Sequence, residues 1–389
     1  MEKINLKQLE DAIYICAQCG YCNNVCATYK NNRWESASPR GKIYMMRDHI
    51  KLGNRRSKSI PADYVERFYY CLLCGRCKEV CQTNIDTLEL FRSFRAWYVR
   101  NKYPIPENLQ YLQKNLNSVY NPAGFDVEKR QLWLEDLDNL RVKQEADVLY
   151  FVGCTSSFYL RNTFVPKNFI KILEHANVKY TVIGADEICC GNPTLLMGDY
   201  ASAKKIAEKN LEVFEKLGVS TIVASCAGCA RAFTEDYPHI LNMRIKPRVL
   251  HAAEYINELL DENKLQFKEM KGIYTYHDPC ELGRHLKIYE PPRRILENIP
   301  GVEFRELLYN KADARCCGAG GGVKGIDNEL AVNIAKGKYL EVEEVGARNL
   351  VSCCPTCKWN LFHAKKEAKA KANPVDLIEL VAKALVKAE

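Results

Sequence analysis

Apolar positions recur at helical spacing through the first hundred residues, then give way to short apolar runs alternating with longer amphipathic stretches. Ile43, Met46 and Ile50 share one helical face, and the basic stretch 51–58 after them reads as a turn. Leu88, Phe91, Phe94 and Tyr98 predict a helix over 88–99 whose aromatic face belongs to a core and is no nucleic-acid platform. Between 101 and 146 the pattern loosens around Pro104, Pro106, Asn121-Pro122 and the charged run 135–145. Trp133, Leu134, Leu137 and Leu140 still call for burial there, so the segment reads as a packed connector.

From Val148 onward the chain alternates strands and helices. Strands are expected over 148–152, 180–183 and 221–224, with a helix of about 17 residues running to His175 and another over 202–217. The order restarts with strands over 273–276, 302–304 and 349–352 and a helix over 328–345. An amphipathic helix after Pro374, carrying Leu377, Leu380, Val381, Ala384 and Leu385, closes the core. The expected fold class is α+β overall: a mostly helical domain (1–100), the connector (101–146), and two pseudo-symmetric Rossmann-like α/β halves (147–270 and 271–389). In such open sheets, sites form at the carboxyl ends of strands. Here cysteines follow those ends each time.

Composition narrows the chemistry. The 389 residues include 19 cysteines, too many for an ordinary cytosolic enzyme in a chain too long for a disulfide-stapled scaffold. Reduced thiols in this number point to a cytoplasmic, anaerobic setting. The stretch 1–10 is charged and lacks the apolar centre of a signal peptide, and no run of about 18 apolar residues occurs. The net charge of +8 suits an acidic partner or an anionic substrate, and equally serves solubility, because it is spread along the chain. No basic stripe with interleaved aromatics supports a nucleic-acid role.

Two cysteine runs share one spacing. Cys16, Cys19, Cys22 and Cys26 read C-x2-C-x2-C-x3-C, and Cys71, Cys74, Cys77 and Cys81 repeat it. This is the ligand spacing of a two-cluster bacterial-type ferredoxin, in which the fourth cysteine of each run crosses to the other cluster. Two [4Fe–4S] cubanes are therefore expected, one on Cys16, Cys19, Cys22 and Cys81, the other on Cys71, Cys74, Cys77 and Cys26. Zinc knuckles, the competing reading, use pairs of cysteines and histidines and not doubled runs of four.

A second cysteine system repeats internally. Cys154, Cys189/Cys190 and Cys226/Cys229 correspond to Cys280, Cys316/Cys317 and Cys354/Cys357, at offsets of 126, 127 and 128 residues. Five thiols per half exceed the four that a cubane or a zinc ion needs, which argues for a larger or opened cluster. Gly191 and Gly318 follow adjacent cysteines that must both face metal. Gly320, Gly321 and Gly322 are expected to let backbone N–H groups approach cluster sulfides or an anion.

The repeat, with Cys-Ala-Gly-Cys at 226–229, His-Asp-Pro-Cys at 277–280, Glu-Pro-Pro-Arg at 290–293, Cys-Cys-Gly-Ala-Gly-Gly-Gly at 316–322 and Cys-Cys-Pro-Thr-Cys at 353–357, resembles the CCG domain of heterodisulfide reductases. With the ferredoxin module ahead of it, the whole chain is similar to the D-type subunits of the membrane-linked enzyme of methanogens. The resemblance implies that each complete five-cysteine set holds a noncubane [4Fe–4S] cluster, and that the CoM-S-S-CoB heterodisulfide is cleaved between the two sets. His277 is then a candidate proton donor. Arg231, Arg284, His285, Arg293 and Lys324, with Arg294 beside them, are candidate contacts for anionic substrate groups. Glu281 departs from the histidine expected after Cys280 and bears on substrate identity or proton supply. Cys353 is an extra thiol, matched by Ser225 in the first half, and is expected to be a bystander.

No flavin fingerprint is evident, so an external donor is expected, either a membrane b-type cytochrome or a soluble flavoprotein. The implied location is cytoplasmic, or peripheral on the inner face of the membrane through that partner. Two other function classes stand beside the enzyme: an electron-transfer subunit serving a flavin-dependent dehydrogenase of the glycolate, lactate or glycerol-3-phosphate type or a quinone-linked complex, and a related disulfide or persulfide reductase.

Overall fold

The structure is a computed structural model that describes residues 6–53, 60–134 and 141–386. Each α/β half builds one four-stranded sheet. β1 (Val148–Phe151), β2 (Tyr180–Val182), β3 (Thr221–Ala224) and β4 (Arg248–His251) lie in the order β2-β1-β3-β4. β5 (Gly272–His277), β6 (Val302–Phe304), β7 (Asn349–Ser352) and β8 (Asn373–Asp376) repeat that order as β6-β5-β7-β8. Every pairing is parallel. A parallel strand covered on both faces reads as an unbroken apolar run, which is what Val148–Phe151 shows. In each half the chain leaves the first strand on one side and returns on the other, so the switch points lie between β1 and β3 and between β5 and β7.

The period-two alternation of strand side chains divides the first sheet between two cores. Tyr150 and Val223 point into a core shared with the second half. Leu149, Phe151, Ile222 and Ala224 point into a core shared with the N-terminal helices. The first half is thus the middle layer of the molecule. The expected helical faces lie inward at the N-terminal end: Ile43, Met46 and Ile50 are buried in the helix Pro39–Gly53, and Phe91, Phe94 and Tyr98 in the helix Thr87–Arg100, where Leu88 is half-buried and Leu90 is buried in addition. Of the basic stretch 51–58, Lys51 ends the helix Pro39–Gly53, and 54–58 lie outside the described residues.

The structure corrects several element assignments. The helix of about 17 residues expected to end at His175 is shorter: a 3-10 turn over Leu160–Asn162 precedes the regular helix Phe164–His175, and a separate short helix, Cys154–Phe158, is set off from them by the extended Tyr159 (φ −104°, ψ 110°). The segment 101–146 contains a regular helix, Glu107–Ser118, and a 3-10 stretch, Val127–Leu134. Within it Leu109, Leu116 and Trp133 are buried, whereas Leu137 and Leu140 lie outside the described residues. The fourth strand of each sheet goes beyond the sequence pattern. Pro374 argues against a strand, yet β8 is an edge strand, where a missing N–H is tolerated.

Arg95 ties the three folded parts together. Fully buried, it donates to the carbonyls of Phe68, Tyr69 and Cys71, to Leu196 O at 2.8 Å in the first half and to Gly321 O at 2.7 Å in the second. The glycine run meets the same loop. At Gly321 (φ +60°) an added Cβ would stand 2.1 Å from Cys71 O, and at Gly320 it would stand 2.7 Å from Leu72 O. The glycines thus allow the second half to seat directly on the Cys71–Leu72 backbone.

Candidate functional site

The cysteines follow the carboxyl ends of β1, β2 and β3, and of β5, β6 and β7, on the switch-point side. In the first half, thiol contacts run Cys154–Cys189–Cys190–Cys229–Cys226. In the second they run Cys280–Cys316–Cys317–Cys357–Cys354. The two chains of thiols join where Cys226 meets Cys354. A third contact links Cys316 to Cys74 of the N-terminal domain. All ten repeat thiols are buried except Cys226, which is half-buried.

Crowding thiols together splits their acidities. The contact with Cys316 draws the Cys74 thiol down to about 6, with burial opposing and the Arg284 guanidinium assisting. Contacts with Cys189 and Cys229 bring Cys190 to about 6, and contacts with Cys229 and Cys354 hold Cys226 well below the usual thiol range. In the second half, contacts with Cys316 and Cys357 likewise hold Cys317 well below the usual thiol range, so both networks favour the thiolate, the form that binds metal.

Cys26 from the first run faces Cys71, Cys74 and Cys77 across a small cavity that Thr28, Lys42 and Phe91 also line. Desolvation in this cavity, with Cys71 and Cys74 adding to it, pushes the half-buried Cys26 thiol up to about 12. Cys16, Cys19 and Cys22 lie together nearer the surface, and Cys19 is exposed. Soft sulfur donors in clusters of four and five, enclosed and free of disulfide bonds, suit iron–sulfur clusters. His277 adds an observation that points the same way. A ring nitrogen lies within 4.8 Å of the Cys317 and Cys357 sulfurs, the residue is buried, and its described contact is with the Cys317 thiol.

The cationic candidates fall into distinct settings. Lys324 stands near Cys317, over the Trp359 ring at 4.5 Å, and its ammonium donates to Asn328 and Asn360 side-chain oxygens at 2.7 and 2.8 Å. Arg231 pairs at 2.7 Å with Glu281, the residue that departs from the family pattern, and lies 3.7 Å from Asp236. Arg293 is held by Asp278 at 2.8 Å and by Glu306. Arg294 is a surface residue paired with Asp261. Arg284 donates to Cys74 O at 2.6 Å and to Ala314 O at 2.6 Å, and His285 contacts Leu73 O at 3.1 Å. These last two sit on the seam between the N-terminal domain and the second half. Desolvation, with Arg231, Arg284 and Arg92 nearby, holds the His285 imidazole well below its usual range.

Two features are invisible in the sequence. Arg130, from the connector, donates to the Cys154 sulfur at 3.2 Å while paired with Glu187 at 2.8 Å. Glu187 in turn accepts the N–H groups of Val152 and Gly153, fixing the turn that presents Cys154. The extra Cys353 thiol faces the Tyr276 phenol, and its first-half counterpart Ser225 hydrogen-bonds Tyr150 at 2.9 Å. Both serve the sheet and not the thiol chain.

Comparison with known proteins agrees with this architecture. The cysteine-rich domain family CCG matches residues 148–234 and 274–362, and the 4Fe-4S dicluster domain family matches residues 12–85. The D-type subunit of the dihydromethanophenazine:CoB–CoM heterodisulfide reductase of Methanosarcina acetivorans is 33% identical over 95% of this chain and 93% of its own length. One subunit of the fumarate reductase (CoM/CoB) of Methanothermobacter marburgensis is 25% identical, over 94% of this chain and 71% of its own. A hypothetical protein from Helicobacter pylori shares the fold at a TM-score of 0.62 and 10% identity, covering 99% of this chain and 72% of that one.

Proposed function

Because the chain belongs to the heterodisulfide reductase D-type subunit family, a family of iron–sulfur oxidoreductases, we propose that it reduces a disulfide of the CoM-S-S-CoB type to its two thiols. The observation that carries this reading is the junction of two complete five-cysteine sets at Cys226 and Cys354. A chain that only relayed electrons would need neither complete set to face the other.

Cys154, Cys189, Cys190, Cys226 and Cys229 would hold one noncubane cluster, and Cys280, Cys316, Cys317, Cys354 and Cys357 the other. Cys16, Cys19, Cys22 and Cys81 would hold one cubane, and Cys71, Cys74, Cys77 and Cys26 the second. Bound there, the clusters supply one-electron carriers and iron that binds thiolate. The Cys74–Cys316 contact gives electrons a short way from the N-terminal domain into the second half, and the Cys354–Cys226 contact a way on to the first. Overall one S–S bond breaks, two electrons and two protons enter, and two S–H bonds form. His277, buried against Cys317 and Cys357, is placed to hydrogen-bond a departing sulfur. Two of the described cationic candidates stand near a repeat cysteine without a carboxylate partner; Arg284 is buried in the seam, whereas Lys324 is half-exposed, so Lys324 is the one best placed for an anionic substrate group. An external electron donor docks on the N-terminal domain. Among the described residues no helix is long and apolar enough to cross a membrane.

The assay is direct. The anaerobically reconstituted chain, reduced by viologen radical, is expected to consume two radicals per CoM-S-S-CoB and release two thiols. A chain that oxidises viologen only when a quinone analogue replaces the disulfide would instead be an electron-carrying subunit.

A further inference from the structure

Ten lysine and arginine side chains are buried among the described residues: Lys42, Arg76, Arg92, Arg95, Arg130, Arg231, Arg284, Arg293, Lys338 and Lys358. Seven of them are paired with a carboxylate. The three that are not, Lys42, Arg95 and Arg284, are 1%, 0% and 4% exposed and converge on one place: Lys42 lines the pocket of Cys26, Cys71, Cys74 and Cys77, while Arg95 and Arg284 hold the Cys71 and Cys74 carbonyls at 2.7 and 2.6 Å. Arg76 also lines the pocket, but its charge is paired with Asp313.

Lys42 lines that pocket and spends its ammonium protons on Ala37 O at 2.6 Å and Ser36 O at 3.4 Å. Arg95 grips Cys71 O at 2.7 Å among its other carbonyls. Arg284 reaches Cys74 O at 2.6 Å from the opposite side and also adjoins Cys280 and Cys316 of the second half. Its Nη2 is buried without any hydrogen-bond partner. Carbonyl dipoles do not neutralise a buried cation, and burying unpaired charge is among the most expensive arrangements a fold can adopt. Three such charges around four thiols make sense if the thiols carry the compensating negative charge.

We propose that Lys42, Arg95 and Arg284 are the counter-ions of the inner four-cysteine site, that they hold its reduction potential up, and that Arg284 is shared with the five-cysteine set of the second half. This rests on the reading that Cys26, Cys71, Cys74 and Cys77 hold a cubane. Reduction adds negative charge, and a cation fixed in low dielectric stabilises that charge far more than an exposed one does. The outer run, with Cys19 exposed, has solvent for this purpose. Because Arg284 adjoins thiols of both sets, an electron arriving on one side draws on the same charge that stabilises the other. Arg284, a candidate substrate contact by its place in the sequence, is thereby a potential-setting residue.

The test is a redox titration followed by EPR on the anaerobically reconstituted full chain, with iron counted for every variant. Lys42→Met is expected to lower the potential of the inner cubane and leave the outer one unmoved. Arg284→Met is expected to lower both the inner cubane and the second-half centre. The charge-keeping Lys42→Arg and Arg284→Lys are expected to titrate close to the parent chain. Iron lost from both methionine variants but kept in the charge-keeping ones would also support the proposal, since the cations would then be needed to bind the cluster at all. Unmoved potentials at full iron content, or equal losses in charge-keeping and charge-removing variants, would overturn it. A parent chain that binds no iron at 26, 71, 74 and 77 would instead overturn the cubane reading beneath it.

Discussion

Cys226→Ser is expected to abolish disulfide reduction, with a loss on the order of 10³-fold or more, while the cubane signals of the N-terminal domain persist. Cys226 touches both Cys229 of its own set and Cys354 of the other, so it stands where the two halves of the candidate site meet. A hydroxyl in its place offers a harder, far less acidic ligand. Cys354→Ser is expected to have the same effect, and the double substitution to be no worse than either, because the two thiols act as one unit. Cys353→Ser is the control. Its neighbour is a tyrosine and not another thiol, so turnover is expected to stay within a few-fold of the parent. Reduced viologen oxidation by CoM-S-S-CoB, set against EPR of the same samples, reads all four variants.

Gly321→Ala is the second large effect expected. A methyl group there would lie 2.1 Å from Cys71 O and 2.7 Å from the Leu72 carbonyl carbon, both backbone atoms that cannot swing aside. The left-handed φ of +60° adds about 1–2 kcal/mol of strain. Opening the seam would also take Gly321 O away from Arg95, leaving a buried guanidinium short of an acceptor. Together these place the substitution in the rare class that costs about 4 kcal/mol or more. Thermal melts and limited proteolysis are expected to show the N-terminal domain released from the second half. Gly337→Ala is the matched control, lying in the helix Asn328–Glu344 with open space where the methyl would go. It is expected to stabilise by roughly 0.5–1 kcal/mol.

The contrast between these two glycines shows where the sequence stops being legible. Cysteine spacing carries local information, since ligands two and three residues apart must share a turn. The ferredoxin runs, both five-cysteine sets and the strands that present them can therefore be read directly. Strand β3 at 221–224, β6 at 302–304 and β7 at 349–352 fall where the apolar runs place them. What cannot be read depends on pairs of residues far apart in the chain. The run Gly320–Gly322 suggests an anion cradle, because nothing local says that the Cys71–Leu72 backbone will press against it. Arg130 sits in a stretch whose pattern is weak, 24 residues before the sulfur it contacts. The partners of Arg231 and Arg293 are likewise set by packing. A guanidinium two residues after Cys229 looks like a substrate contact until Glu281 arrives from the other half. Edge strands β4 and β8 escape for a different reason: four residues with an exposed arginine or a proline carry too little period-two signal to separate from a loop.

The central claim is that two complete five-cysteine sets face each other to split a disulfide, with the N-terminal clusters feeding them. Its most direct test is EPR of the oxidised, anaerobically purified chain, recorded with and without coenzyme M after iron and sulfide are counted. The account predicts about sixteen irons per chain, four for each of four clusters, and a paramagnetic signal that appears only when the thiol is added. About twelve irons, or cubane signals indifferent to the thiol, would contradict it and leave the chain a conductor whose chemistry belongs to a partner.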